Sequence, residues 1–201
     1  MKLDEFKYFY PEKPRLISKD QPLFFQLSDS DDWVAEKKYN ETRLQLHLLD
    51  RKAQYWNRHH EKISYDPTPE IREMFDALMA TKLTKYTLFD GGLRHNRTKD
   101  VRNKIVLWDV FIWNGELLIG KPFWYRRQLL ESLFGVDDEP VGIPFQYKDK
   151  FPQVFEEVIH YAEFEGLVIK NKRGQLNLGR KDGMDSKWMC KVRRPSGRYH
   201  L

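Results

Sequence analysis

Residues 33–49 read WVAEKKYNETRLQLHLL, from Trp33 to Leu49. Their pattern is strand, turn, strand. Trp33 to Tyr39 is rich in aromatic and β-branched residues. From Thr42 to Leu49, Leu44, Leu46 and Leu48 alternate with polar residues, as in a strand with one face buried. Only Asn40 and Glu41 separate the two runs. Gln54 to Arg58 predicts a third strand of the same meander.

Helices follow downstream. Thr68 is a good N-cap and Pro69 suits the first helical position; Ile71, Met74, Phe75, Leu78 and Met79 then recur at helical spacing. Tyr86–Phe89 and Lys104–Ile112 predict strands. Asn114-Gly115 predicts a tight turn that returns Leu117 to Ile119 against Val110 to Ile112. Further helices are predicted from Tyr125 to Phe134, closed by Gly135, and from Phe151 to Phe164. Strands are predicted at Leu167–Lys170 and Lys187–Val192. Strands and helices do not alternate strictly, so the expected class is α+β with largely antiparallel sheets and flanking helices. Pro11, Pro14 and Pro22 stand among aromatics, which predicts an irregular N-terminal arm over 1–30, a body over 31–193 and a basic tail over 194–201.

Composition narrows the function classes. The chain has 201 residues, 40% hydrophobic, 14% aromatic and 32% charged, enough to bury a real core. Its apolar runs fall far short of the roughly 20 residues that span a bilayer, and no apolar segment follows Met1 to Glu5, so no membrane or signal segment is expected. The single cysteine, Cys190, excludes an internal disulfide and a cysteine-built zinc site, and fits a reducing, cytoplasmic setting. The net charge of +5 permits nucleic-acid binding without requiring it. From Lys187 to Arg198 the charged residues are all basic, a run that either tracks a phosphate backbone or is a solvated tail.

Phosphate loops of the Gly-Lys-Ser or Gly-Lys-Thr kind, Gly-x-Gly-x-x-Gly and Gly-x-Ser-x-Gly are all absent. Three segments carry unusual polar residues. Glu36-Lys37-Lys38-Tyr39-Asn40-Glu41-Thr42-Arg43 sets a lysine at a strand end, then a turn, then an arginine. Glu165-Gly166-Leu167-Val168-Ile169-Lys170 leads into an apolar strand. In Lys187-Trp188-Met189-Cys190-Lys191-Val192-Arg193, an ideal strand puts Lys187, Met189, Lys191 and Arg193 on one face.

In this order the segments resemble motifs I, IV and V of the nucleotidyltransferase superfamily of ATP-dependent DNA ligases, RNA ligases and mRNA capping enzymes. Leu88-Phe89-Asp90-Gly91-Gly92-Leu93 resembles motif III, and Val106-Leu107-Trp108-Asp109-Val110 resembles motif IIIa. The resemblance implies an ATP-grasp-like nucleotidyltransferase domain. It implies a lysyl-AMP on Lys38 formed from ATP with Mg2+, then AMP transfer to a 5′-phosphate of nicked DNA or RNA. By the same resemblance Lys187 and Lys191 contact the α-phosphate and serve catalysis with Lys38. Arg43 contacts ribose or phosphate, Trp108 stacks on the purine, Glu36 reads the adenine amino group, and Lys170 and Arg193 complete the nucleotide site. Glu165 and Asp90 hold metal. DNA is the first expected substrate and RNA the alternative; a non-catalytic nucleic-acid-binding module is the reading from another class.

The sequence departs from the family pattern in three places. Motif I has glycine where Glu41 stands, and motif III has glutamate where Gly92 stands. One acid is gained and one lost, which suggests that Glu41 supplies the carboxylate missing at 92. Only eight residues follow Arg193, so no OB-fold domain is expected within the chain, and a separate protein could supply the missing nucleic-acid clamp.

Overall fold

The computed structural model describes residues 8–97, 100–177 and 184–195; Arg198 of the basic run lies outside them. Two sheets face each other across a cleft. The first has the order β1-β11-β10-β2-β9, from Lys13–Leu16 (β1), Trp33–Tyr39 (β2), Gln146–Tyr147 (β9), Phe164–Asn171 (β10) and Asp185–Arg193 (β11). The second has the order β4-β3-β5-β6-β7, from Thr42–Leu49 (β3), Lys52–Trp56 (β4), Thr87–Arg94 (β5), Lys104–Trp113 (β6) and Glu116–Leu117 (β7). Val141–Gly142 (β8) adds in parallel to β6. Pairing is antiparallel except at β1–β11 and β6–β8. Among the described residues the helices are Pro22–Ser28 (α1), Pro69–Thr81 (α2), Phe123–Glu131 (α3) and Phe151–Val158 (α4). The class is the α+β one that the sequence predicts.

The turn at Asn40-Glu41 carries the chain from the first sheet into the second. Leu44, Leu46 and Leu48 of β3 are fully buried, and they pack with Ile71 and Phe75 of α2. A separate core forms behind the first sheet, where Ala35, Leu167 and Ile169 meet Phe24 of α1 and Phe151 and Phe155 of α4. Each sheet therefore has its own apolar backing, which leaves the faces toward the cleft free for charge.

Several predicted elements change shape. The described part of the arm, residues 8–30, holds regular elements: Lys13–Leu16 pairs in parallel with β11, and Pro22 opens α1 at its first turn. Strand pairing at such separation leaves no local pattern. The helix starting at Phe151 stops at Val158, and Phe164 already belongs to β10; backbone bonds from Tyr161 to Val158 and from Phe164 to Tyr161 turn the chain between them. The helix predicted to reach Phe134 ends at Glu131. The face predicted for β11 is also broken. Trp188, Met189 and Cys190 are buried in succession, and the Ser186 hydroxyl accepts from the backbone N–H of both Trp188 and Met189. This irregularity, seen also as a register shift against β1, defeats the period of two.

Gly166 fixes how the central strands meet. It pairs with Lys38 on one side and Arg193 on the other. Its φ is +143°, and a Cβ there would lie 2.0 Å from the Val192 carbonyl oxygen. Only glycine accepts that backbone with that approach. Gly166→Ala is therefore expected to cost at least about 2 kcal/mol of stability, measured by urea denaturation; a loss within about 0.5 kcal/mol, the range of ordinary surface changes, would contradict this view of the strand junction.

Candidate functional site

The cleft between the sheets encloses about 640 Å³, the size of a small-ligand site. One wall comes from β2, β10 and β11 of the first sheet, and the other from β3, β5 and β6 of the second. Lys38, Glu165, Lys191 and Arg193 stand on the first wall, and Arg43, Asp90 and Trp108 on the second.

At the open edge, Lys38 Nζ donates to Glu165 Oε2 at 2.6 Å, and Arg193 meets the same oxygen at 3.0 Å. Burial pushes the Glu165 carboxyl up, but the Lys38 hydrogen bond and the charges of Lys38, Arg193 and Arg97 outweigh it and hold the group below its ordinary value. Lys191 is half-buried near these cations. Burial first, then Lys38 and Arg193, push its pKa down. The result is one carboxylate among several amines and guanidiniums, a field suited to a polyanion.

Deeper in, Lys170 Nζ lies 2.6 Å from Glu36 Oε2 and donates to the Trp108 carbonyl at 3.1 Å. Glu36 Oε1 accepts from Gln146 at 2.8 Å, with Arg127 at 3.5 Å. Both Glu36 and Lys170 are almost wholly buried. A charge so enclosed needs such partners. Glu36 therefore has both oxygens engaged.

On the opposite wall Arg43 grips Asp90 with two hydrogen bonds, at 3.0 and 2.5 Å, and Trp108 Nε1 donates to Asp90 Oδ2 at 2.8 Å. Arg43 stands over the Trp108 ring at 6.0 Å from its centroid. Both Asp90 oxygens thus accept hydrogen bonds from the wall of the cleft. Lys187 departs furthest from expectation: it is exposed and does not line the cleft, because the irregularity in β11 turns its segment away.

Some contributors escaped the sequence reading. Tyr8 and Tyr10 of the arm line the cleft. The Tyr10 hydroxyl and His60 Nδ1 share a 2.6 Å hydrogen bond, and Gln45 clamps the Phe9 backbone from both its amide atoms. Such docking is carried by residues dozens of positions apart. Arg126, fully buried behind the site, makes paired bonds of 2.7 and 2.9 Å to Asp109, next to Trp108. Arg126-Arg127 does stand out in the sequence, in a stretch from Trp108 to Leu130 that resembles the family, but the pairing with Asp109 is not legible there.

A family model described as "ATP dependent DNA ligase domain" matches residues 92–192, half of the chain. The chain belongs to this family. Among solved structures, the fold of this ligase domain is similar to a mycobacterial DNA ligase D complexed with ATP and MES, at 16% identity and a TM-score of 0.62, over 91% of this chain and 60% of that one. It is also similar to the ligase domain from M. tuberculosis LigD, at 17% identity and a TM-score of 0.61, over 90% and 59%. An archaeal ATP-dependent RNA ligase matches at 14% identity and a TM-score of 0.57, over 92% and 48%. The chain thus spans about 60% or less of these proteins. No curated protein matches by sequence. Among the described residues no helix is long and apolar enough to cross a membrane.

Glu41, in the turn of this ligase domain that joins the sheets, has one carboxylate oxygen buried with no hydrogen-bond partner. Burial pushes the group up to about 8, against the pull of Lys38 and Arg94. A carboxyl raised in the folded state stabilises fully below its unfolded pKa, and the contribution fades as pH rises toward the folded value. Glu41→Gln should therefore gain stability relative to the parent between about pH 4.5 and pH 8, with no further change above. Urea denaturation across that range checks it, and a pH-independent difference would mean that the carboxyl is not enclosed.

Proposed function

We propose that this domain forms a covalent lysyl-AMP on Lys38 from ATP and passes the AMP to a 5′-phosphate at a nick, with DNA as the first substrate. The observation that carries the reading is the Lys38–Glu165 contact of 2.6 Å inside a cleft rimmed by Lys191 and Arg193. A lysine is protonated at neutral pH and must shed that proton to attack phosphorus. Glu165 Oε2 accepts the Lys38 N–H and holds the amine at the open edge of the cleft, where its proton leaves to solvent. The Lys38 nitrogen then bonds to the α-phosphorus as the bond to the pyrophosphate oxygen breaks. Lys191 and Arg193 face the negative charge that builds on the phosphates, a role electrostatic catalysis needs fixed in advance.

Trp108 offers its half-buried ring to the base, with Arg43 and Asp90 setting its angle. Lys170 and Glu36, locked to each other, act here as the rigid floor of the site. In this reading Lys187 takes no part in the α-phosphate contact.

Magnesium commonly binds through one or two carboxylates together with substrate phosphates. Among the described residues no group of three His, Cys, Asp or Glu side chains converges, and both cations on Glu165 meet its Oε2. Glu165 Oε1 is thus suited to hold magnesium with the phosphates, where the ion would neutralise developing charge; the Asp90 oxygens accept from Arg43 and Trp108. The DNA preference rests on the DNA ligase family model. Grip on a nicked substrate belongs to the same proposal, and RNA sealing by the same chemistry is its alternative.

Incubation with α-labelled ATP and magnesium should leave label on the denatured protein. Lys38→Ala should abolish it, Glu165→Gln should reduce it by about 100-fold or more, and GTP should label poorly. Absence of Lys38-dependent label would leave a binding module in place of an enzyme. Nicks that already carry the adenylate should be sealed faster than nicks supplied with ATP, on DNA ahead of RNA; single-turnover assays on the four combinations would show this, and equal rates would count against it.

A further inference from the structure

The turn between the sheets and the glycine beneath it fit each other in a way neither explains alone. A Cβ placed on Gly92 would lie 2.3 Å from both the carboxyl carbon and Oε2 of Glu41, and 2.5 Å from its Cγ. Glu41 therefore fills the volume that a side chain at 92 would occupy. The backbone at Gly92 has no left-handed φ, so the local conformation does not demand glycine; the space does. Arg43 pairs with Gly92 and Thr42 with Leu93 in the β3–β5 ladder, so Glu41, at the head of β3, reaches diagonally across the ladder to cover Gly92.

We propose that Glu41 and Gly92 are a reciprocal pair, in which a carboxyl for the sugar hydroxyls of the bound nucleotide is delivered from the β2–β3 turn instead of from β5. This rests on the adenylation reading. Three observations point the same way. Glu41 lines the cleft. Its Oε2 is enclosed without a partner among the described residues, an arrangement that costs stability unless a ligand donor completes it. The charges that act on it most are those of Lys38, Arg94, Glu165 and Arg43, in that order. Three residues along the chain from the amine that attacks the α-phosphorus, the group has two candidate neighbours bonded to that phosphorus, the ribose and the β-phosphate. A sugar hydroxyl can donate to the unpartnered oxygen and can also accept from the carboxyl, whereas a phosphate oxygen has no proton to donate to it. Burial and raised proton affinity also limit the repulsion of the triphosphate that an ionised acid here would cause.

The experiment compares ATP with 2′-deoxy-ATP and 3′-deoxy-ATP, by equilibrium binding and by labelling of Lys38. The parent should bind at least one deoxy analogue about tenfold more weakly than ATP. Glu41→Gly should lose that discrimination, and Glu41→Gln should keep part of it. Gly92→Ala should also lose it while folding normally, because the three atoms nearest its Cβ all belong to the far end of the flexible Glu41 side chain. Gly92→Glu should bind poorly, and Glu41→Gly/Gly92→Glu should regain the preference for ATP. Undiminished discrimination in Glu41→Gly, or a double variant no better than the single, overturns the pairing. Binding reports on the sugar contact even if Lys38 carries no label, so a failed adenylation reading and a failed Glu41 contact give different results.

Discussion

Three strands meet at Gly166, and the chemistry of the cleft follows from how closely they meet. With φ at +143° and no Cβ, the residue lets β10 press against the Val192 carbonyl while pairing with Lys38 on the other side. Glu165, the residue before it, then lies between a lysine from β2 and an arginine from β11, drawn from positions 38 and 193 of the chain. Sheet pairing fixes this register to the residue, since a slip by one would turn each side chain to the opposite face. The distance between amine and carboxylate is thus set by backbone geometry more than by side-chain choice.

The charges of the site fall into two groups with different work to do. Glu36–Lys170 and Arg126–Asp109 are buried and hydrogen-bonded on several sides. Such pairs add little net stability over apolar replacements but are costly to half-remove. Their effect is to hold the floor and the Trp108 strand in one arrangement. Lys38–Glu165–Arg193 is only partly buried, so its partners can be traded for ligand atoms. A site that must accept a polyanion needs both: fixed pairs that set geometry, and exposed pairs that open at low cost.

Legibility in the sequence follows from how local each determinant is. β2 and β3 were readable to the residue because the leucine alternation and the Asn40-Glu41 turn lie within a few positions. The Thr68 cap and Pro69 located α2 for the same reason, and Asn114-Gly115 located the β6–β7 turn. The end of α4 was not readable, since Val158 to Phe164 stays apolar and helical in pattern while the chain turns toward β10. Parallel pairing of β1 with β11, and the arm's docking through Gln45 and His60, depend on residues far apart. Lys38, Glu165, Lys191 and Arg193 could be named from motif order alone. Lys187 could not be placed, because Ser186 disrupts the strand period just before the cations. Asp90 was identifiable as a site acid, but its commitment to Arg43 and Trp108 needed coordinates.

Gly92 and Glu41 carry this point furthest. Taken singly, each looks like a defect: an acid where the chain should turn freely, and a gap where an acid should stand. Packing removes the contradiction, because the two positions share one volume and only one side chain can fill it. The enclosed carboxyl has a cost, visible in its unpartnered oxygen and raised proton affinity. A mutual fit of this kind turns two independent losses into one exchange, and it can be gained only when the small residue and the large one are present together. Substitutions at such positions are therefore coupled, and the effect of either one alone misstates what the pair does.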